Sequence, residues 1–102
     1  MAEISWTAEA ERWLNDIYEY IAADNPDAAV RTVQSIYDRA QDLRQFPQLG
    51  TRYAASPRHV RVLLYEHYRI AYLIKDDGNI DTVGVFHGAL DIARYHSNQG
   101  HA

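Results

Sequence analysis

The feature that most constrains this chain is a break between two helical patterns at Asp24-Asn25-Pro26-Asp27. The side-chain oxygen of Asn25 can cap a helix, and proline is favoured at the first helical position because that N–H has no intrahelical partner anyway. The pattern predicts that one helix ends and another begins within a few residues. Because the connection is so short, the two helices must run antiparallel as a hairpin.

Apolar residues recur every three or four positions on both sides of this break. The spacing predicts a first helix over about 8–24, capped by Thr7, and a second helix from Asn25 to Phe46-Pro47. Neither apolar face is stable in water, so both must pack on another layer. We expect six side chains to make this contact: Trp13, Leu14, Ile17, Val33, Ile36 and Leu43.

The rest of the chain predicts strands. Residues 4–6 alternate in polarity, and 60–65, 68–75 and 80–88 are rich in Val, Ile, Leu, Tyr and Phe between turn residues. Residues 47–57 contain two of the three prolines and predict a loop. The connections between the last three strands are short, which makes neighbouring strands antiparallel.

These elements predict an α+β fold in the order β-α-α-β-β-β, with a helical hairpin packed on an antiparallel sheet. Residues 89–95 predict a short C-terminal helical turn, and 97–102 predict a frayed tail. The length of 102 residues is that of one domain, so we expect 1–102 to share a single core.

Composition narrows the classes of function. The chain has no cysteine, and its five histidines lack metal-ligand spacing, so we expect neither a metal nor an organic cofactor. Its apolar runs are too short to cross a membrane and its start does not resemble a secretion signal, which favours the cytoplasm. The net charge of −4 argues against a general nucleic-acid binder.

The charge is unevenly distributed. Residues 1–46 hold nine acids and four arginines, whereas 47–102 hold six bases and five acids. Arg52, Arg58, Arg61 and Arg69 are accompanied by a single acid, Glu66, over 52–69. This stretch predicts a surface for an acidic partner, with Arg52, Arg58 and Arg61 as its binding residues; the alternative is that they are ordinary solvated residues.

One set of residues on the predicted sheet suits acid–base chemistry. A histidine can act as the general acid or base in the attack on a phosphodiester, and nearby arginines can stabilise the charge that develops. The predicted sheet carries Arg61, His67, Arg69 and His87. If Asp76-Asp77-Gly78 is a three-residue loop, Arg69 and His87 fall on one face of the sheet. The alternative is that His87 is a hydrogen-bonded structural residue.

The chain resembles the RelE/ParE toxins of bacterial toxin–antitoxin pairs, the plasmid stabilisation toxins, and is most similar to the ParE branch. The resemblance extends over residues 3–95. Six pieces carry it in order: DIYEYIA in the first helix, NPDAA at 25–29, L..FP.LG.R at 43–52, VRVL at 60–63, YRIAY.I at 68–74 and VGVFHGALDI at 83–92.

The resemblance implies a cytoplasmic growth inhibitor that a small antitoxin neutralises. In the ParE branch the implied target is DNA gyrase, with no catalysis by the toxin, and we expect this function. The alternatives are a RelE-like endoribonuclease that cuts mRNA on the ribosome, or a degenerate member that only binds its antitoxin. The nuclease would use Arg61, Arg69 and His87 as catalytic residues. Many relatives have an arginine at the position of Leu90, and its replacement by leucine here favours the ParE branch over a nuclease.

The resemblance also suggests where the antitoxin binds. We expect a segment of it to lie across the hairpin and the sheet, as an amphipathic helix in an apolar groove or as an added strand. Its acidic residues would meet Arg52, Arg58 or Arg61.

Overall fold

The computed structural model describes residues 2–53 and 59–87, and the predicted α+β fold is confirmed. Two helices pack on a five-stranded sheet. The elements are β1 (Ile4–Trp6), α1 (Ala8–Ala22), α2 (Pro26–Gln41), a 3-10 turn (Asp42–Arg44), β2 (Thr51–Arg52), β3 (Arg61–Tyr65), β4 (Tyr68–Ile74) and β5 (Ile80–His87). The predicted helical turn at 89–95, the tail at 97–102, Arg58 and Leu90 lie outside the described residues.

Both helices begin where the capping residues predict. The Thr7 hydroxyl oxygen accepts a hydrogen bond from the Ala10 N–H at 3.1 Å, and the Asn25 side-chain oxygen accepts one from the Ala28 N–H at 3.1 Å. Pro26 occupies the first turn of α2. These bonds satisfy backbone donors that a helix start would otherwise leave unpaired.

The second helix is shorter than predicted. It ends at Gln41 and tightens into the 3-10 turn, in place of continuing to Phe46-Pro47. Pro47 disfavours a helical conformation at the residue before it, and 3-10 geometry is common where an α-helix ends. The chain therefore leaves the helical layer about a turn earlier than its apolar spacing suggests.

The sheet has the strand order β1-β5-β4-β3-β2. The β3–β4 and β4–β5 pairs are antiparallel as predicted. The β2–β3 pair is antiparallel too, but β1 runs parallel to β5, so the sheet is mixed. No tight turn joins β1 to β5, because the whole helical hairpin follows β1, and its direction is therefore not fixed by connection length. A second difference is β2, which lies within the predicted 47–57 loop and pairs with β3.

The β4–β5 hairpin has the predicted three-residue loop. The Lys75 N–H donates to the Asn79 carbonyl at 2.7 Å, and Gly78 has a φ of +87°, a region that suits glycine. Beyond this loop the ladder shifts register between Ala71 and Tyr72. The partner of Ala71 is Gly84 while that of Tyr72 is Thr82, so Val83 is an extra residue on β5, a β-bulge.

The main core lies between the hairpin and one face of the sheet. Leu14, Ile36 and Leu43 are buried in it, and Trp13, Ile17 and Val33 pack against it, as the helical spacing predicts. The buried sheet residues of this cluster are Leu63, Ile70, Tyr72, Ile80 and Val85. Among the described helices, none has the length and apolar character needed to cross a membrane.

Candidate functional site

The structure does not bring the three predicted catalytic residues together. Arg61 lies opposite Tyr72, at the end of β3 remote from the β3–β4 turn, whereas Arg69 lies opposite Leu64 near that turn. Three residue steps along the ladder separate these arginines, which corresponds to roughly 10 Å. Successive strand residues also point to opposite faces, so Arg61 lies on the helix-packed face with Tyr72 and Arg69 lies on the other.

The β-bulge separates Arg69 from His87 as well. Arg69 pairs with Phe86, and His87 pairs with Tyr68, so the two residues belong to opposite faces of the sheet. The expectation that a three-residue loop places them on one face is therefore wrong, although the loop itself is as predicted. A register counted from the loop alone misses the extra residue on β5.

Arg69 and His87 nevertheless line the rim of one depression, where β4 begins and β5 ends. Its volume is about 370 Å3. The side chains that line it are Leu64, Glu66, His67, Arg69 and His87. The His67 and His87 rings lie 5.9 Å apart between centroids. The β3–β4 turn therefore places a second imidazole beside His87, from a residue that belongs to the predicted acid–base set but not to the three residues expected of a nuclease.

The turn that carries His67 has a strained residue. Glu66 has a φ of +53°, a conformation that side chains other than glycine adopt infrequently. Beside it, partial burial and then the nearby Glu66 carboxylate raise the pKa of Tyr68. The phenol therefore stays protonated to a higher pH than a free tyrosine, which suits a hydrogen-bond donor better than a base.

Arg61 is occupied by the backbone. Its Nε donates to the Gly50 carbonyl at 3.1 Å, and a terminal nitrogen donates to the Gln48 carbonyl at 3.3 Å. Arg61 therefore holds the loop before β2 and is only partly available to a partner. Arg52, by contrast, is exposed on β2, and its guanidinium contacts the His59 ring.

An apolar groove lies between α1 and the sheet, on the face opposite Arg69. Its volume is about 340 Å3, within the range of ligand-binding clefts. Trp13, Asp16, Ile17, Tyr20, Ile21, Tyr68, Val85 and His87 line it. The helical spacing predicts the apolar stripe. It does not predict that its outer part is uncovered by other residues of 2–53 and 59–87.

No group of three or more His, Asp or Glu side chains within 2–53 and 59–87 is placed to hold a metal ion. The clefts described above also lack the glycine-rich turn at a helix start that holds cofactor phosphates.

Comparison with known proteins assigns the family. Residues 4–92 match the model of the ParE toxin of the type II toxin–antitoxin system parDE. Y4kP, a toxin candidate of Sinorhizobium fredii (strain NBRC 101917 / NGR234), is 38% identical over 80 residues, which cover 78% of this chain and 83% of that protein.

Two solved structures share the fold. A chain of the chromosomal ParDE toxin–antitoxin system of P. aeruginosa superposes with a TM-score of 0.74 at 26% identity, covering 87% of this chain and 98% of that one. A chain of the RelBE2 toxin–antitoxin complex of Mycobacterium tuberculosis gives a TM-score of 0.66 at 20% identity, with 84% and 96% covered, and shows the fold alone.

These matches confirm the resemblance to the RelE/ParE toxins. The chain belongs to the ParE toxin family of type II toxin–antitoxin systems.

Proposed function

We propose that this chain inhibits growth by binding DNA gyrase and that a cognate antitoxin neutralises it. We take 1–102 as one toxin domain that works in the cytoplasm. The observation that carries the proposal is the separation of Arg61, Arg69 and His87 across two faces of the sheet. A phosphodiesterase needs its acid, base and charge-stabilising groups within hydrogen-bond reach of one phosphate. A toxin that acts by binding needs no such arrangement.

The antitoxin would bind in the apolar groove between α1 and the sheet. An amphipathic helix binds such a groove through side chains at three- and four-residue spacing. The P. aeruginosa neighbour comes from a system that pairs a toxin with an antitoxin, which supports such a partner here. Acidic residues of the antitoxin would meet Arg52 and Arg58, with Arg61 contributing less because the backbone occupies it.

A second candidate is the RelE-like endoribonuclease, with the ribosome and mRNA as its partners. The depression at the β3–β4 turn favours it, because His67, Arg69 and His87 all line that rim. An imidazole pair beside a guanidinium can move protons and stabilise charge on a phosphate. Arg61 lies too far along β3 to share this site, so such a nuclease would use His67 in its place.

Expression of the chain from a tightly repressed promoter tests the proposal. After induction, plasmid supercoiling and mRNA integrity are followed in the same culture, with and without the protein encoded by the neighbouring gene. We expect supercoiling to fail first and the neighbouring protein to restore growth. Early mRNA cleavage that His87→Ala abolishes would establish the nuclease, and growth without any defect would indicate a degenerate member.

A further inference from the structure

Arg69 differs from the other half-buried arginines in the part of the chain that the structure describes. Arg39 pairs with Asp42 at 2.8 Å, and Arg61 donates to two backbone carbonyls of the loop before β2. Arg69 is half-buried too, but it forms no hydrogen bond or ion pair with any described residue. Partial removal of a guanidinium from water without an acceptor costs free energy, and an anionic ligand would supply that acceptor.

Two imidazoles from other segments line the same depression as this guanidinium. His67 comes from the β3–β4 turn and His87 from the end of β5, while Arg69 lies near the start of β4. All three side chains can donate N–H hydrogen bonds, and the histidines can also carry positive charge. Glu66 is the only acid among the described residues that line the depression, and it forms no ion pair with Arg69. Donors from three segments thus surround a place where an anion can bind.

The orientation of the two rings indicates the shape of that anion. The planes of the His67 and His87 rings are inclined by 47°. Imidazole N–H groups lie in the plane of their own ring, whereas the acceptor positions of a carboxylate all lie in one plane. Two inclined rings and a guanidinium therefore match the flat carboxylate of an acidic side chain poorly. The oxygens of a phosphate project in tetrahedral directions and can accept from all three groups.

The surroundings of the depression suit a phosphate that belongs to a nucleic-acid strand. His67 and His87 are exposed, so a chain that continues on both sides of the bound phosphate can cross the site. Leu64, which is 56% exposed, also lines the depression and offers apolar contact to the sugar or base beside the phosphate. A free phosphate ion gains nothing from such a neighbour.

The charge of the whole chain limits how this strand is bound. With a net charge of −4, the protein attracts free nucleic acid only weakly, because non-specific affinity requires many cations that act together. A single phosphate contact becomes effective when another protein already holds the strand beside it. The proposed target, gyrase, is an enzyme that binds DNA and can therefore present such a strand.

We propose that the depression at the β3–β4 turn binds one phosphate group of the DNA held by gyrase, through Arg69 and the imidazoles of His67 and His87. The inference rests on the proposed function. It adds DNA to the partners of the toxin and requires no cleavage of the strand. Because the toxin contacts the enzyme and the DNA at once, it stabilises the complex that contains both.

Titration of the toxin alone tests the site. Nuclear magnetic resonance follows the imidazole signals during addition of inorganic phosphate, a short single-stranded DNA, the RNA of the same sequence, or an acidic peptide of the same net charge. We expect phosphate and DNA to shift the His67 and His87 signals, and the peptide to shift them much less. Arg69→Gln should weaken the binding of DNA about tenfold, whereas Arg31→Gln, an exposed change on α2, should leave it unaltered.

A second measurement uses gyrase. The amount of trapped, cleaved DNA is compared for the wild-type, Arg69→Gln and Arg31→Gln chains, and binding to gyrase is measured without DNA. We expect Arg69→Gln to require about tenfold more protein to trap DNA, with unchanged binding to DNA-free gyrase. Circular dichroism monitors the fold of each variant. If Arg69→Gln fails to fold, the exposed change His67→Asn replaces it.

The outcomes separate this inference from the proposed function. Imidazole signals that shift with the acidic peptide and not with DNA, that respond more strongly to RNA than to DNA, or that shift with no ligand show that the inference is wrong. Equal trapping of DNA by the wild-type and Arg69→Gln chains excludes a role of the site on gyrase. If the wild-type chain does not bind gyrase but its signals shift with DNA, the proposed function fails while the phosphate site stands.

Discussion

Tyr72 illustrates how a single side chain links two layers of this protein. Its ring is fully buried in the main core, and its hydroxyl reaches the edge of the sheet to bond the 46–50 loop. A buried aromatic residue with a polar tip can satisfy a core and a loop at the same time. The hydroxyl bonds the Pro47 carbonyl and the Gly50 N–H in place of a neighbouring strand.

Removal of this hydroxyl should destabilise the fold. In Tyr72→Phe the Pro47 carbonyl and the Gly50 N–H lose their bonds to the hydroxyl, which we expect to lower the free energy of unfolding by about 1–3 kcal/mol. Urea denaturation measures the change. Tyr20→Phe is the control, because Tyr20 is 85% exposed and its hydroxyl should contribute little. Equal stability of the wild-type chain and Tyr72→Phe would show that the loop is not held by this residue.

Tyr37 predicts how stability depends on alkaline pH. Its ring packs against Trp6 at 4.5 Å between centroids, and burial first, then the Glu11 charge, raise its pKa above the ordinary 10.0. The folded state thus favours the protonated phenol. The stability that the Tyr37 phenol contributes is complete below pH 10.0, and it is lost as the pH rises through the higher pKa of the folded state.

The melting temperature should therefore fall as the pH is raised above about 10, and Tyr37→Phe should fall less steeply than the wild-type chain. Thermal unfolding at several alkaline pH values provides the measurement. Tyr20, which is 85% exposed, provides the control variant Tyr20→Phe. An identical slope in Tyr37→Phe would mean that this phenol is not the group whose ionisation matters.

At the scale of elements, the hairpin is the part with the clearest physical basis. Ile36 of α2 is completely buried against the sheet, whereas Val30 of the same helix is 55% exposed. We expect Ile36→Ala to cost about 2–5 kcal/mol of stability, since it removes buried apolar groups and leaves a cavity. Val30→Ala should change stability by less than about 0.5 kcal/mol. Chemical denaturation measures the free energy of unfolding of both variants. A small change in Ile36→Ala as well as in Val30→Ala would contradict this packing.

The same elements show how much of the fold the sequence predicts. Helix starts are local, so Thr7 and Asn25 predict α1 and α2 correctly, and Gly78 predicts the hairpin loop. The parallel pairing of β1, the strand β2 and the bulge at Val83 depend on contacts between distant segments. Spacing along one segment contains no information about them.

The candidate site was predicted less accurately than the fold for the same reason. Arg61, Arg69 and His87 have residue types that suit phosphate chemistry, but whether they share a face depends on one extra residue in β5. Glu66 and His67 form the two-residue connection between β3 and β4. Such a short connection fixes His67 at the end of the sheet where β5 ends, so its length could have predicted that His67 lies beside His87.

For the whole molecule, the uneven charge predicts how the antitoxin is recognised. The Arg52→Glu/Arg58→Glu variant should bind the protein encoded by the neighbouring gene more weakly, mainly through slower association, and added salt should weaken the wild-type complex in the same direction. Surface plasmon resonance at two salt concentrations measures both effects. Arg31→Glu, an exposed change on α2, serves as the control. Unchanged binding of the double variant would show that these arginine charges do not take part in recognition of the antitoxin.

We propose that this ParE-family chain acts by binding gyrase and does not cut RNA. The most direct test adds the purified protein to two reactions: supercoiling of relaxed plasmid by gyrase, and translation of a defined mRNA in a cell extract. We expect inhibited supercoiling or stabilised cleaved DNA in the first reaction, and intact mRNA in the second. Codon-positioned mRNA cleavage that disappears in His87→Ala and Arg69→Ala, with gyrase unaffected, would contradict it.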